Sequence, residues 1–121
     1  MTLQEVYAAL GGDYEDVTRR MFGEKMTGKF MLKFPCDKSY GLLCSSLEGE
    51  DYETAFRAVH SLKGVCRNLG FTRLYRSSSM LADALRQEAL CKKELLDVLF
   101  AKIKRDYEEN VSVILKYEKE I

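Results

Sequence analysis

The stretch DYETAFRAVHSLKGVCRNLG, residues 51–70, decides the fold, because it contains a complete amphipathic helix with its own start and stop. Asp51 is a residue type that caps helix N-termini, and Gly70 is the type that most often ends helices. With about 100° of rotation per residue, the apolar residues between them fall on one face. These are Ala55, Ala58, Leu62, Val65 and Leu69. We expect this face to pack into a helical bundle.

The opposite face of this helix has His60 at its centre. His60 is the single histidine of the 121-residue chain, so any imidazole chemistry must pass through it. Gly64, one turn further on, costs about 1 kcal/mol relative to alanine inside a helix. Either a partner needs room to approach the imidazole there, or a neighbouring helix packs closely against this position. Because Gly64 lies on the polar face, access by a partner is the favoured interpretation.

A local positive charge surrounds the histidine. Three cations share its face: Arg57, Lys63 and Arg67. The acid on the same face is Glu53. Such a strip would stabilise a phosphoryl group on the imidazole, although a solvated charged face is the commoner origin of such a run. Phe56, one turn before the histidine, either packs under the N-terminal helices or belongs to a docking surface, and the sequence favours neither.

Short helices are predicted at the start of the chain. Thr2 and Glu5 have the spacing of a capping box, which opens a helix that Gly11-Gly12 ends. Asp13 can cap a second short helix that runs through Arg20. This front portion is too short to form a domain of its own.

Two further helical stretches precede the central helix. The first covers residues 25–34, and Pro35 interrupts it because proline has no backbone N–H to donate. We expect the helix to restart near Asp37, to run to Leu47 and to stop at Gly49.

After the central helix the chain has no glycine or proline for 51 residues. Thr72 can cap the helix that begins there. One helix of that length would extend about 75 Å, too far for so small a domain, so we place a turn at Leu90–Lys93. Apolar residues at spacings of three and four then predict a final amphipathic helix. They are Leu96, Leu99, Ile103, Tyr107, Val111, Ile114 and Leu115.

The predicted fold class is all-α. No segment shows sustained strand alternation, and hairpin dipeptides are absent. We predict an antiparallel four-helix bundle with short additional N-terminal helices packed on it. Residues 1–121 form one domain, with the short helices in residues 1–24 and the bundle in residues 25–118.

The composition argues against several classes of protein. Lys and Arg number 19 and so do Asp and Glu, so the chain lacks the basic excess of a protein that binds nucleic acid or a membrane surface. No apolar run approaches the roughly 20 residues that cross a bilayer, and the first residues do not resemble a signal peptide. We therefore expect a cytoplasmic protein whose partner is a protein or a small ligand.

Cysteine and serine give no sign of chemistry. Cys36, Cys44, Cys66 and Cys91 are widely spaced and lack a second histidine to complete a zinc site, so buried thiols are the favoured interpretation. The run Ser77–Ser79 lacks the motif of a serine nucleophile. We expect it to lie at a close contact between helices.

Residues 60–70, HSLKGVCRNLG, resemble the signature of histidine-containing phosphotransfer (HPt) domains, which is H-x-L-K-G followed after five residues by glycine. The acidic turn at residues 49–51 and the stretch LADAL at residues 81–85 are also similar to the family. The resemblance covers about residues 25–118.

Two positions depart from the family's pattern. Arg67 stands where the family usually has a small residue, so it either adds a contact to phosphate or obstructs part of the docking face. Pro35 interrupts what is commonly one long helix, which affects the shape of the bundle more than its chemistry.

The resemblance implies a phosphorelay carrier in two-component signalling. His60 would be the nucleophile that takes a phosphoryl group from an aspartyl phosphate on a receiver domain and passes it to the aspartate of a response regulator. Lys63 would stabilise charge on the phosphoryl group, and Gly64 would leave room for the partner. The other residues expected at the docking face are Phe56, Arg57 and Arg67.

The resemblance also implies the partners and the cofactors. They are response-regulator receiver domains and a hybrid sensor kinase, with no nucleic acid and no membrane. We expect no metal or cofactor on this chain, because the receiver's acidic residues would bind the Mg²⁺ that the transfer needs. The chain has no nucleotide-binding loop, so we expect a stand-alone monomer without kinase activity. The alternative is a helical adaptor that binds receiver domains or another signalling protein without phosphotransfer.

Overall fold

The computed structural model describes residues 1–87 and 92–121, and within them the chain is helical with no strand. The α-helices are α1 Leu3–Ala9, α2 Tyr14–Arg20, α3 Glu24–Met31, α4 Ser39–Glu48, α5 Tyr52–Leu69, α6 Thr72–Arg86 and α7 Lys93–Glu120. A short 3-10 helix, Phe34–Cys36, separates α3 from α4. The predicted all-α class is therefore confirmed.

The four longest helices form the bundle in chain order. α4 packs on α5, α5 on α6 and α6 on α7. Short connections make these neighbours antiparallel. The ring of Tyr40 on α4 stacks on that of Tyr107 on α7, with centroids 3.7 Å apart, so the first and last helices of the bundle also meet. No helix in residues 1–87 and 92–121 is long and apolar enough to cross a bilayer.

Local capping interactions set several helix ends where the sequence predicts them. Thr2 and Glu5 form the complete capping box, and the side chains of Asp13 and Asp51 accept hydrogen bonds from backbone N–H groups at the starts of α2 and α5. Gly49 is the C-terminal cap of α4. These predictions hold because each depends on residues only a few positions apart.

Gly70 ends α5 in the left-handed conformation, with φ of 72°. A Cβ atom at this position would lie 3.0 Å from Cβ of Val17 and 3.2 Å from the carbonyl oxygen of Asp13. Both the backbone conformation and the close approach of α2 therefore require glycine.

The predicted cap of α6 is wrong by one residue. Thr72 is the first residue of the helix, and Phe71 is in the capping position without a side-chain hydrogen bond. The Phe71 side chain is fully buried, with its ring centroid 5.0 Å from that of Phe34 and 5.7 Å from that of Tyr7. Core packing of this aromatic ring thus decides where α6 begins.

The region around Pro35 contains a longer interruption than predicted. α3 ends at Met31, and Pro35 lies in the 3-10 helix. α4 begins only at Ser39, whose backbone N–H donates to the Asp37 carboxylate over 2.9 Å. The interruption follows from proline's missing donor, and the Asp37 carboxylate supplies an acceptor at the restart.

The final helix buries most of its predicted stripe. Four of these residues are buried, namely Leu96, Leu99, Ile103 and Ile114. Tyr107 and Val111 are half-buried, but Leu115 is 43% exposed, so its predicted burial is wrong. Asp106 and Asn110 are buried instead. The C-terminal part of α7 packs against α1, which changes the direction of its buried face.

Two of the four residues of the turn predicted at Leu90–Lys93, residues 90 and 91, lie outside the described residues. α6 ends at Arg86 and α7 begins at Lys93.

The cysteines differ in burial. Cys66 is buried, and burial raises the pKa of its thiol. Cys44 is half-buried, whereas Cys36 is exposed, so the expectation of a buried thiol is wrong there: the short 3-10 helix buries Phe34 and leaves Cys36 at the surface. Cys91 lies outside the described residues. In the predicted small-residue run, Ser77 and Ser78 are buried within the bundle.

The N-terminal helices hold the C-terminal end of α5. The Tyr7 hydroxyl donates to the carbonyl of Leu69 over 2.6 Å, and this bond is buried. Arg20 donates to the carbonyls of Arg67 and Asn68 at 3.1 and 3.2 Å. The last carbonyls of a helix have no partners within it, so α1 and α2 supply the donors that complete this helix end.

Candidate functional site

The buried face of α5 is turned relative to the predicted stripe. Four of the five predicted core residues are buried, and the fifth, Val65, is half-buried. Val59 and Cys66 are buried in addition. The buried face is thus rotated by about 30° toward the side that holds Phe56 and Lys63. Both of these side chains are half-buried as a result.

His60 lies at the middle of the exposed side of α5, as predicted. Its imidazole ring stacks with Phe56, with the ring centroids 6.1 Å apart and an interplanar angle of 22°. The guanidinium carbon of Arg86, on α6, lies 5.9 Å from the centroid of the Phe56 ring. Phe56 therefore contacts both the imidazole and a cation of the neighbouring helix.

Two cations of α5 meet on one aromatic ring of α6. Nζ of Lys63 and Cζ of Arg67 each lie 5.6 Å from the ring centroid of Tyr75. Cations are attracted to the negative face of an aromatic ring at such distances. The ring of Tyr75 therefore attracts both side chains toward α6.

The other side of the imidazole is open. A Cβ atom at Gly64 would have no described atom within 4 Å outside the helix's own backbone. The structure thus offers no close packing that would require glycine here. Arg57 is also exposed on this side and lies 3.6 Å from the Glu53 carboxylate, which is itself 81% exposed.

We call the two sides of His60 the α6 flank, formed by Phe56, Lys63 and Arg67, and the open flank, formed by Arg57, Ser61 and Gly64. The α6 flank is covered by aromatic and cationic side chains of the next helix. The open flank has no such cover at its glycine. The five predicted site residues other than His60 therefore lie on its two flanks, in two different environments.

Tyr75 and Arg86 are the residues of this site that the sequence interpretation missed. A signal for them exists in the register of the α5–α6 hairpin. Arg67 and Tyr75 are each four residues from Phe71, and Phe56 and Arg86 are each fifteen residues from it. In an antiparallel helix pair with a tight connection, residues equidistant from the turn lie at the same level.

Among the described residues, no three or more His, Cys, Asp or Glu side chains are grouped so that they could hold a metal ion. The charged groups that surround His60 in residues 1–87 and 92–121 are mainly cations, which suit an anionic group.

An exposed imidazole on a bundle helix, with two cations held against α6 on one side and free space at Gly64 on the other, defines a helical bundle that presents a histidine at its surface. The sequence model of the Hpt domain matches residues 36–110, which is more than half of the chain and includes the whole site. The chain belongs to the Hpt domain family, whose members act in histidine phosphotransfer in two-component signalling. No curated protein and no solved structure matches the chain.

Proposed function

We propose that this protein is a phosphorelay carrier in which His60 accepts a phosphoryl group from a receiver-domain aspartyl phosphate and passes it to the aspartate of a response regulator. The observation that carries the proposal is the open space at Gly64 beside the exposed imidazole. A receiver must bring its phosphorylated aspartate to the imidazole nitrogen, and a bare helical surface one turn away admits it.

The transfer exchanges one bond to phosphorus for another. The bond between the imidazole nitrogen and phosphorus forms while the bond between phosphorus and the aspartyl oxygen breaks, which releases the receiver's carboxylate. A neutral imidazole can attack without a separate base. In the second transfer the aspartate of another receiver attacks the phosphohistidine in the same way.

Lys63 supports both transfers from the α6 flank. Its ammonium group would neutralise charge on the phosphoryl oxygens, where charge-assisted hydrogen bonds are the strongest kind. The receiver would contribute the Mg²⁺ from its own acidic residues. Each partner therefore completes the site in turn, and this chain supplies the nucleophile and the cations.

The partners follow from this role. They are the receiver domains of response regulators and of a hybrid sensor kinase, bound one at a time by a monomer in the cytoplasm. The chain provides no nucleotide-binding loop, so we propose that it has no autonomous kinase activity.

A labelling experiment tests the acceptor. A phosphorylated receiver is mixed with the wild-type chain, with His60→Gln and with Ser61→Ala, which removes the exposed hydroxyl next to the histidine. We expect an acid-labile, alkali-stable label on the wild type and on Ser61→Ala, and none on His60→Gln. Equal labelling of His60→Gln would exclude His60 as the acceptor. A wild-type chain that binds the receiver but gains no label would be the adaptor instead.

A further inference from the structure

Lys63 and Arg67 bring two positive charges to a single aromatic ring. The two cations are one turn apart on α5, where like charges repel each other. Within residues 1–87 and 92–121, neither is within 4.0 Å of a carboxylate. Both instead lie against the ring of Tyr75.

An aromatic ring has a different effect from a carboxylate on a cation. A carboxylate would position the ammonium and guanidinium groups but would cancel their charge. The ring attracts them through its quadrupole and carries no net charge. Tyr75 therefore holds two cations close together while both positive charges stay available to an incoming anion.

Both cations lie on the side of the imidazole that faces α6. Lys63 and Arg67 follow His60 by three and seven residues, so they lie about one and two turns further along α5. Seven residues of helix correspond to about 10.5 Å, a distance that the long arginine side chain and the phosphoryl group can cover from both ends.

We propose that Tyr75 is a positioning residue that holds Lys63 and Arg67 together as a two-cation site for the phosphoryl group on His60. The inference rests on the proposed function of His60. It gives Arg67 a defined role as a second phosphate-binding cation. It also explains how the helix tolerates two like charges at this spacing before the anion arrives.

Two substitutions distinguish the effect of the aromatic ring from the effect of side-chain packing at position 75. Tyr75→Phe keeps an aromatic face, whereas Tyr75→Leu keeps an apolar side chain without one. We expect phosphoryl transfer from a receiver to fall by roughly three- to tenfold in Tyr75→Leu and to change by less than about twofold in Tyr75→Phe. Thermal unfolding and helix content verify that both variants are folded. Transfer at the wild-type rate by Tyr75→Leu, or an equal loss in Tyr75→Phe, would overturn the proposal.

A double-mutant comparison tests whether Tyr75 acts through the cations. In a Lys63→Ala/Arg67→Ala background, Tyr75→Leu should cause no further loss of transfer, because the groups it positions are gone. If Tyr75→Leu reduced transfer by the same factor in both backgrounds, Tyr75 would act only through packing.

Chemical phosphorylation keeps this inference separate from the proposed function. Phosphoramidate transfers its phosphoryl group to imidazole with release of ammonia, so it labels His60 without a receiver. The ¹⁵N signals of Lys63 Nζ and Arg67 Nε should both shift on labelling of the wild type and of Tyr75→Phe, and at least one shift should be lost in Tyr75→Leu. Unchanged signals in the labelled wild type would refute the two-cation site. Failure of receiver transfer alone would refute only the proposed function.

Discussion

The two flanks of His60 lie on the same helix but differ in what covers them. On the α6 flank, Phe56, Lys63 and Arg67 contact rings and cations of the neighbouring helix. On the open flank, the backbone at Gly64 has free space beside it. A group that stabilises charge must be held in place, because its benefit depends on distance. A surface that admits a partner must be bare. In the proposed transfer, the helix would meet both requirements by dividing them between its sides.

Filling the open flank should have the largest effect. Gly64→Gln puts a long side chain where a receiver would pack, and overpacking costs about 1–3 kcal/mol. We expect the rate of phosphoryl transfer from a receiver to fall roughly 10- to 100-fold. The free energy of unfolding should rise by up to about 1 kcal/mol, because glycine disfavours a helix interior.

The matched control for this variant is Gly28→Gln. Gly28 also lies in a helix with open space around a Cβ atom, but beside Tyr117 and Ile121 near the end of α7. It should transfer at the wild-type rate. If Gly64→Gln transferred as fast as this control, the open flank would have no role in access.

Removing the charge on the α6 flank should have an intermediate effect. Lys63→Ala deletes the ammonium nearest to His60 along this flank, and we expect transfer to slow by about tenfold. The fold should be kept, because Lys63 is only half-buried and has no ion pair among the described residues. Lys102→Ala, which removes an exposed lysine on α7, is the control in the same assay. Equal transfer rates for the two variants would show that Lys63 does not stabilise charge from the α6 flank.

The smallest effect is expected at Arg57. Its ion pair with Glu53 is exposed, with 67% of the arginine side chain accessible, and such pairs contribute less than about 1 kcal/mol. Arg57→Ala should change transfer by less than about threefold, and the difference should shrink as salt is raised. A loss as large as that of Lys63→Ala, unaffected by salt, would mean that the open flank also binds the phosphoryl group. Stopped-flow transfer at two ionic strengths measures this.

The sequence predicts those parts of the fold that depend on near neighbours. The capping box at Thr2, the caps at Asp13 and Asp51 and the stop at Gly70 are all correct, because each is made by groups within a few residues. It misplaces the start of α6, since a buried Phe71 outweighs the capping preference of Thr72. Leu115 fails for a similar reason, as the end of α7 packs against α1.

The same distinction between local and long-range interactions applies to the residues of the site. Helical geometry alone places His60 and Gly64 on one face, so the sequence finds them together. It does not find Tyr75 and Arg86, because their contribution depends on how α5 and α6 align. It also leaves the environment of Phe56 open, whereas the structure shows Phe56 in contact with both His60 and Arg86.

The sequence by itself thus determines the helical class, most helix ends and the face that presents His60. Hydrogen bonds and rotation per residue act over a few positions, and they need no knowledge of the rest of the chain. The tertiary structure decides how far α5 turns into the bundle, and therefore which flank is covered and which stays open. That rotation is set by the summed packing of helices whose contacting residues are distant in sequence, so no local pattern contains it.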